Sequence, residues 1–168
     1  VVTPSSSNPN LVPSSNLVVS GSGTNRELAI TPLPHANGTA TISLLTADGE
    51  GGATTNSLLL TVTAVNDAPT FSLSTNAVTV AEDAALKLTN FVTNISAGPA
   101  DETNQTLVFL LTTANKAFYA LPPTIASDGT LSFKPAANVT GTNEVTVVLQ
   151  DNGGTSLGGT NKSAPQTF

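Results

Sequence analysis

From Leu28 to Gly51 the chain repeats itself, without a gap, 103 residues further on. Leu28-Ala29-Ile30-Thr31-Pro32 lines up with Leu131-Ser132-Phe133-Lys134-Pro135, Gly38-Thr39 with Gly141-Thr142, Ile42 with Val145, and Asp48 with Asp151. A single match of this kind would mean little, but four in one register mean duplication, and a repeat constrains a fold more than any local propensity. Each copy reads as a short strand, a turn, an alternating strand and an acidic, Gly-rich turn. Two full periods would overrun the 168 residues. The first unit opens part-way, without a counterpart of Phe71 through about Asn90. The second stops at Thr167-Phe168, where a final strand like Leu58–Val62 is expected. The expected organisation is therefore a partial repeat over 1–68 lacking its first strands and a second over 69–168 lacking its last. With Val1 in place of Met and no signal-peptide pattern, the chain reads as an internal segment of a longer array.

Local signals make these units all-β. Thr39-Ala40-Thr41-Ile42-Ser43-Leu44 and Glu144-Val145-Thr146-Val147-Val148-Leu149 alternate polar and apolar side chains as half-buried strands do. Further strands are predicted at Leu17–Val19, Ser57–Val65, Phe71–Leu73, Ala77–Val80, Leu86–Leu88 and Leu107–Leu111. Between them stand turn formers: Asn37-Gly38, Asp48-Gly49, Asp128-Gly129 and Asn152-Gly153-Gly154. Helix is confined to a turn or two near Asn90–Ala97. Apolar residues reach 39%, enough for a core, for which Phe71, Phe91, Phe109, Phe118 and Phe133 are candidates. A period near 103 suits an immunoglobulin-type β-sandwich of roughly 100 residues, so the predicted fold is a tandem of such sandwiches.

Composition narrows the function. The net charge of −6 repels phosphate backbones and excludes nucleic acid as a natural partner. No run of about 20 apolar residues could span a bilayer as a helix. Without Cys there is no disulfide, thiolate nucleophile or thiolate metal ligand. Glu82-Asp83 and Asp101-Glu102 are paired carboxylates, but a glycosidase also needs a sugar-holding cleft, and the chain has no Trp and one Tyr. His35 is the only histidine and no Gly-x-Ser-x-Gly elbow accompanies it. No enzyme is expected. Asn37, Asn94, Asn104, Asn138 and Asn161 head Asn-x-Ser/Thr sequons, several of which chance would supply in so Asn-, Ser- and Thr-rich a chain.

The segment between the units, Ala64-Val65-Asn66-Asp67-Ala68-Pro69-Thr70-Phe71, together with Val80-Ala81-Glu82-Asp83, Ile95–Glu102, Asp128–Ala136 and Asp151-Asn152-Gly153-Gly154, resembles the bacterial cadherin-like tandem repeats of large secreted or surface proteins. The resemblance covers nearly the whole chain. It implies a structural spacer, stalk or fibre module in the extracellular space or on the cell surface, partnered by neighbouring repeats of the same or an identical chain. Its alternatives are an adhesion module for a cell-surface glycan or protein, and an accessory module of a secreted enzyme. It also implies Ca²⁺ at the linker, with Asn66, Asp67 and Asp151 as ligands, Asp48 as the equivalent of Asp151 one repeat earlier, and Asp101 from a third acidic motif. Calcium accepts six to eight oxygen ligands, and extracellular modules hold it at about 0.1–1 mM. Read without the resemblance, Asn66-Asp67 is an Asx turn ahead of Pro69 and the Asp-Gly pairs are ordinary turns.

Overall fold

The computed structural model describes all residues 1–168, and they form two compact units, Val1–Ala64 and Val65–Phe168. The boundary falls after Ala64, ahead of Asn66 and Asp67, which are hydrogen-bonded into the second unit. There is no α-helix; four 3₁₀ turns punctuate thirteen strands.

Unit 1 carries β1 (Val2–Ser6), β2 (Leu17–Ser20), β3 (Glu27–Ile30), β4 (Gly38–Ala47) and β5 (Ala53–Val62). They make a three-stranded sheet in the order β1-β4-β5 and a two-stranded sheet β2-β3. The alternation of β4 sends Ala40 and Ile42 inward, where they meet Leu11, Val12 and Leu17 in a small core flanked by Leu28, Ile30, Leu60 and Val62. β4 and β5 pair without interruption from Gly38↔Val62 to Ala47↔Ala53. Their connection is tight because Asp48 accepts hydrogen bonds from the main-chain N–H groups of Glu50 and Gly52.

Unit 2 carries β6 (Thr70–Leu73), β7 (Leu86–Leu88), β8 (Val92–Ser96), β9 (Val108–Thr113), β10 (Tyr119–Ile125), β11 (Leu131–Pro135), β12 (Val145–Gln150) and β13 (Gln166–Thr167). The sheets run β10-β11-β7 and β13-β12-β9, with β6 paired to β8. Phe71, Phe91, Val92, Leu131, Phe133, Val147 and Leu149 fill the core. Phe71 meets Phe109, and Phe91 meets Phe168, edge to face. Phe118 is only half-buried, stacked edge-on against Tyr119 at the rim.

The duplication survives in three dimensions. An offset of 103 carries β1, β2, β3 and β4 onto β9, β10, β11 and β12, and each set pairs in the same order. Unit 1 holds no counterpart of β6, β7 and β8. Several sequence expectations need correction. Ala77–Val80 forms no strand, although Val78 and Val80 still pack on the core. Residues 92–96 are strand, not helix, because Val92, Ile95 and Ala97 are needed on the sandwich rather than along one helical stripe. Nor does the second unit lack its last strand: Gln166 and Thr167 pair with Val147 and Thr146. That strand is displaced along the sequence. Ser43 pairs with Ser57, 14 residues on, whereas its counterpart Thr146 pairs with Thr167, 21 residues on. The second connection is thus 7 residues longer, and this extra loop builds the site described next.

Candidate functional site

Asn66 leads the chain into unit 2 and is held there on every side. Its amide nitrogen donates to Asp151 Oδ1 at 3.0 Å and to the Thr160 carbonyl at 2.8 Å. Its amide oxygen accepts from Gln105 Nε2 at 2.7 Å. Its own carbonyl accepts from the Thr160 N–H at 2.9 Å, as a strand pair would. One residue on, the Asp67 N–H donates to Glu102 Oε1 at 2.8 Å.

Three loops supply these partners. The 3₁₀ turn Ala100–Glu102 closes with the Glu102 N–H on the Pro99 carbonyl, and the Gln105 N–H on the Glu102 carbonyl extends it. This turn aims Glu102 inward and leaves Asp101 exposed. Asp151 begins the long loop after β12, where its Oδ1 also takes the Gly153 N–H at 2.9 Å. The same local turn forms at Asp48, so the two acidic residues keep one conformation in both repeats. The loop then returns through Thr160 onto Asn66. Close approach fixes two glycines: a Cβ at Gly98 would collide with Glu102 Oε2, and one at Gly153 with the Asn66 amide.

Asp151 is 3% exposed and Glu102 5%. Each carboxylate has one bonded oxygen and one without a hydrogen-bond partner, Asp151 Oδ2 and Glu102 Oε2; Gln105 Oε1 is likewise unpartnered. A buried acceptor left unsatisfied costs about 1–3 kcal/mol, and more when charged. All three oxygens belong to side chains that hydrogen-bond the Asn66-Asp67 segment through their other polar atom, as one hydrogen-bonded node. No three carboxylates or imidazoles stand together as a ligand set, so any ion here would also draw on amide and main-chain oxygens, which calcium accepts.

Of the residues singled out from the sequence, Asn66, Asp67 and Asp151 come together. Asp101 precedes Glu102 in the 3₁₀ turn and is exposed. Asp48 belongs to unit 1, where its exposed carboxylate closes its own turn; the Glu50 and Gly52 N–H groups hold it below its ordinary range. Glu102 entered the sequence reading as half of an acidic pair and as the end of the Ile95–Glu102 motif, never as a ligand, and Gln105 not at all. The one available signal was their spacing of three, which puts them in a single turn.

Comparison with known proteins places these observations in a family. The family model described as "Bacterial Ig domain" matches residues 66–161, which spans every residue of the node. Among solved structures, that of domains 4 and 5 of the S-layer protein SbsC is similar at 17% identity, with a TM-score of 0.36, over 98% of this chain and 68% of that one. No curated protein gives a significant match.

Proposed function

Because this chain belongs to the bacterial Ig domain family, we propose that it is a structural repeat module of a surface or secreted protein, a non-catalytic spacer whose entry segment is fixed by a calcium ion. The observation that carries the spacer reading is the duplication itself: one strand order, one alternation and one Asp turn occur twice in a single polypeptide. Modules repeated in this way extend a chain by copy number, since each needs only its own core and its neighbour. Absence of Cys and Met removes the side chains most open to oxidation.

The calcium part rests on the unpartnered buried oxygens of Glu102, Gln105 and Asp151. In the node, Asp151 and Glu102 would supply carboxylate oxygens, Gln105 its amide oxygen, and Asp67 lies one residue from the clasped Asn66. An ion would neutralise the buried carboxylates and tie the segment 65–67 more firmly to unit 2.

Thermal unfolding with millimolar calcium, and then with excess chelator, tests this. Binding confined to the folded state stabilises by about 2.7 kcal/mol at a hundredfold excess over Kd. Asp151→Asn keeps the Oδ1 acceptor for Asn66 and Gly153 but removes the charge. The variant is expected to fold and to lose the calcium shift. An unchanged melting temperature in the parent chain would leave a metal-free spacer, with the node acting through hydrogen bonds alone.

A further inference from the structure

Asn is followed by Gly twice in the chain, at Asn37-Gly38 on the way into β4 and at Asn152-Gly153 in the loop after β12. Such a pair is prone to lose the side-chain amide, because glycine has no Cβ to shield its nitrogen or stiffen the backbone. The Gly nitrogen attacks the Asn Cγ, and the new C–N bond closes a five-membered succinimide. The Cγ–Nδ2 bond breaks, and Nδ2 leaves as ammonia with the proton of the Gly N–H. Water then opens the ring to Asp or to isoAsp. Ring closure requires the nitrogen and Cγ to meet in an attack geometry, so conformation sets its rate.

In unit 2 both reacting groups are engaged elsewhere. The Gly153 N–H donates to Asp151 Oδ1 at 2.9 Å. The Asn152 side chain is held by its Oδ1, which accepts from the Thr106 N–H at 2.9 Å. Gly153 is also packed so closely on the Asn66 amide that a Cβ would collide with it. Asp151, which takes the Gly153 N–H, is buried and bonded to Asn66. Thr106 follows Gln105, which donates to Asn66. The hold on Asn152-Gly153 and the clasp on Asn66 thus run through the same residues. Asn152 itself is exposed, so water reaches it and only the conformation protects it.

We propose that Asn152 is a deamidation site that the clasp on Asn66 keeps closed and that reacts once the clasp opens. The reaction makes the opening permanent. IsoAsp at this position routes the main chain through one more carbon between residue 151 and Gly153, and the Asp151 turn no longer closes. Asp at this position sets a further negative charge beside the buried Asp151. The chemistry needs no ion and is independent of the calcium reading.

Peptide mapping by mass spectrometry reads amide-to-acid conversion at Asn152 over time, in the full chain at mildly alkaline pH with excess chelator. The same chain in guanidinium chloride gives the unrestrained rate. Asn152 is expected to convert about tenfold more slowly, or slower still, in the folded chain, a factor that one hydrogen bond to a charged acceptor supplies. Asp151→Ala frees the Gly153 N–H and should raise the folded rate about tenfold. Asp151→Asn keeps an acceptor there and should stay near the parent rate. Asn66→Ala opens the clasp without touching Asp151 or Gly153, is expected to speed conversion likewise, and serves if Asp151→Ala does not fold. A cooperative melt of unit 2 checks each variant, and Asn37 in unit 1 is the internal reference whose rate all three leave unchanged. Equal conversion of Asn152 in the folded and unfolded chain overturns the proposal. So does an unchanged rate in a folded Asp151→Ala or Asn66→Ala variant. A slower rate in Asp151→Ala overturns it too, since the carboxylate would then be a base that activates the nitrogen.

Discussion

Asp48 and Asp151 occupy one place in two copies of a motif, and each bonds the N–H two residues on. Only Asp151 is buried, because only the longer loop of unit 2 folds back over it. The glycine beside it pays for this closeness in freedom of substitution. Gly153→Ala drives a methyl into the Asn66 amide and is expected to destabilise unit 2 by about 1–3 kcal/mol, as overpacking does; urea unfolding of the variant checks it. In the core, Phe91 is fully buried and packs on Phe168, and Phe91→Ala should cost about 3–5 kcal/mol on the same assay. At this scale the site was half legible. Asn66, Asp67 and Asp151 stood out as a linker motif and a repeated acidic turn. Glu102 was hidden beside Asp101, because neighbours in a 3₁₀ turn point different ways and nothing in the sequence says which one is buried. Gln105 carries no charge and no motif.

Strands were legible where alternation was strong and the partner strand lay close in sequence. β4 and β12 show this, with inward residues at every second position. β10 was missed: Pro122 and Pro123 argue against a strand, and the structure tolerates them because β10 is an edge with irregular register. Residues 77–80 erred the other way, since their alternation serves packing without a ladder. The β4–β5 hairpin gives a pH prediction. The Glu50 and Gly52 N–H groups favour the ionised Asp48 carboxylate and lower its pKa from the ordinary 3.8. A depressed carboxylate pKa contributes stability that is present above the unfolded value and is lost as pH falls through the folded one. Exchange protection of the hairpin amides should therefore decline as pH drops below about 4, and Asp48→Asn should flatten that decline.

Across the whole molecule, the two units differ in size, Val1–Ala64 being the smaller and Val65–Phe168 the larger. Unit 2 closes its sandwich with strands for which unit 1 has no counterpart, and a small domain with little buried surface is marginal. Residues 65–168 made alone are expected to unfold in one cooperative step and to keep any calcium response, while residues 1–64 alone melt at lower temperature; calorimetry of the two fragments checks both. The organisation in repeats was readable because duplication leaves its mark at a fixed offset. The boundary was not, since only side-chain bonds assign Asn66 and Asp67 to the second unit. Those bonds bear on what happens under tension. A pull along the polypeptide enters unit 2 at Asn66, and there it meets Asp151, Gln105 and Thr160 at once, before it can reach β6. Those bonds take the load first, and the sandwich behind them is stretched only once the clasp at its point of entry has given way.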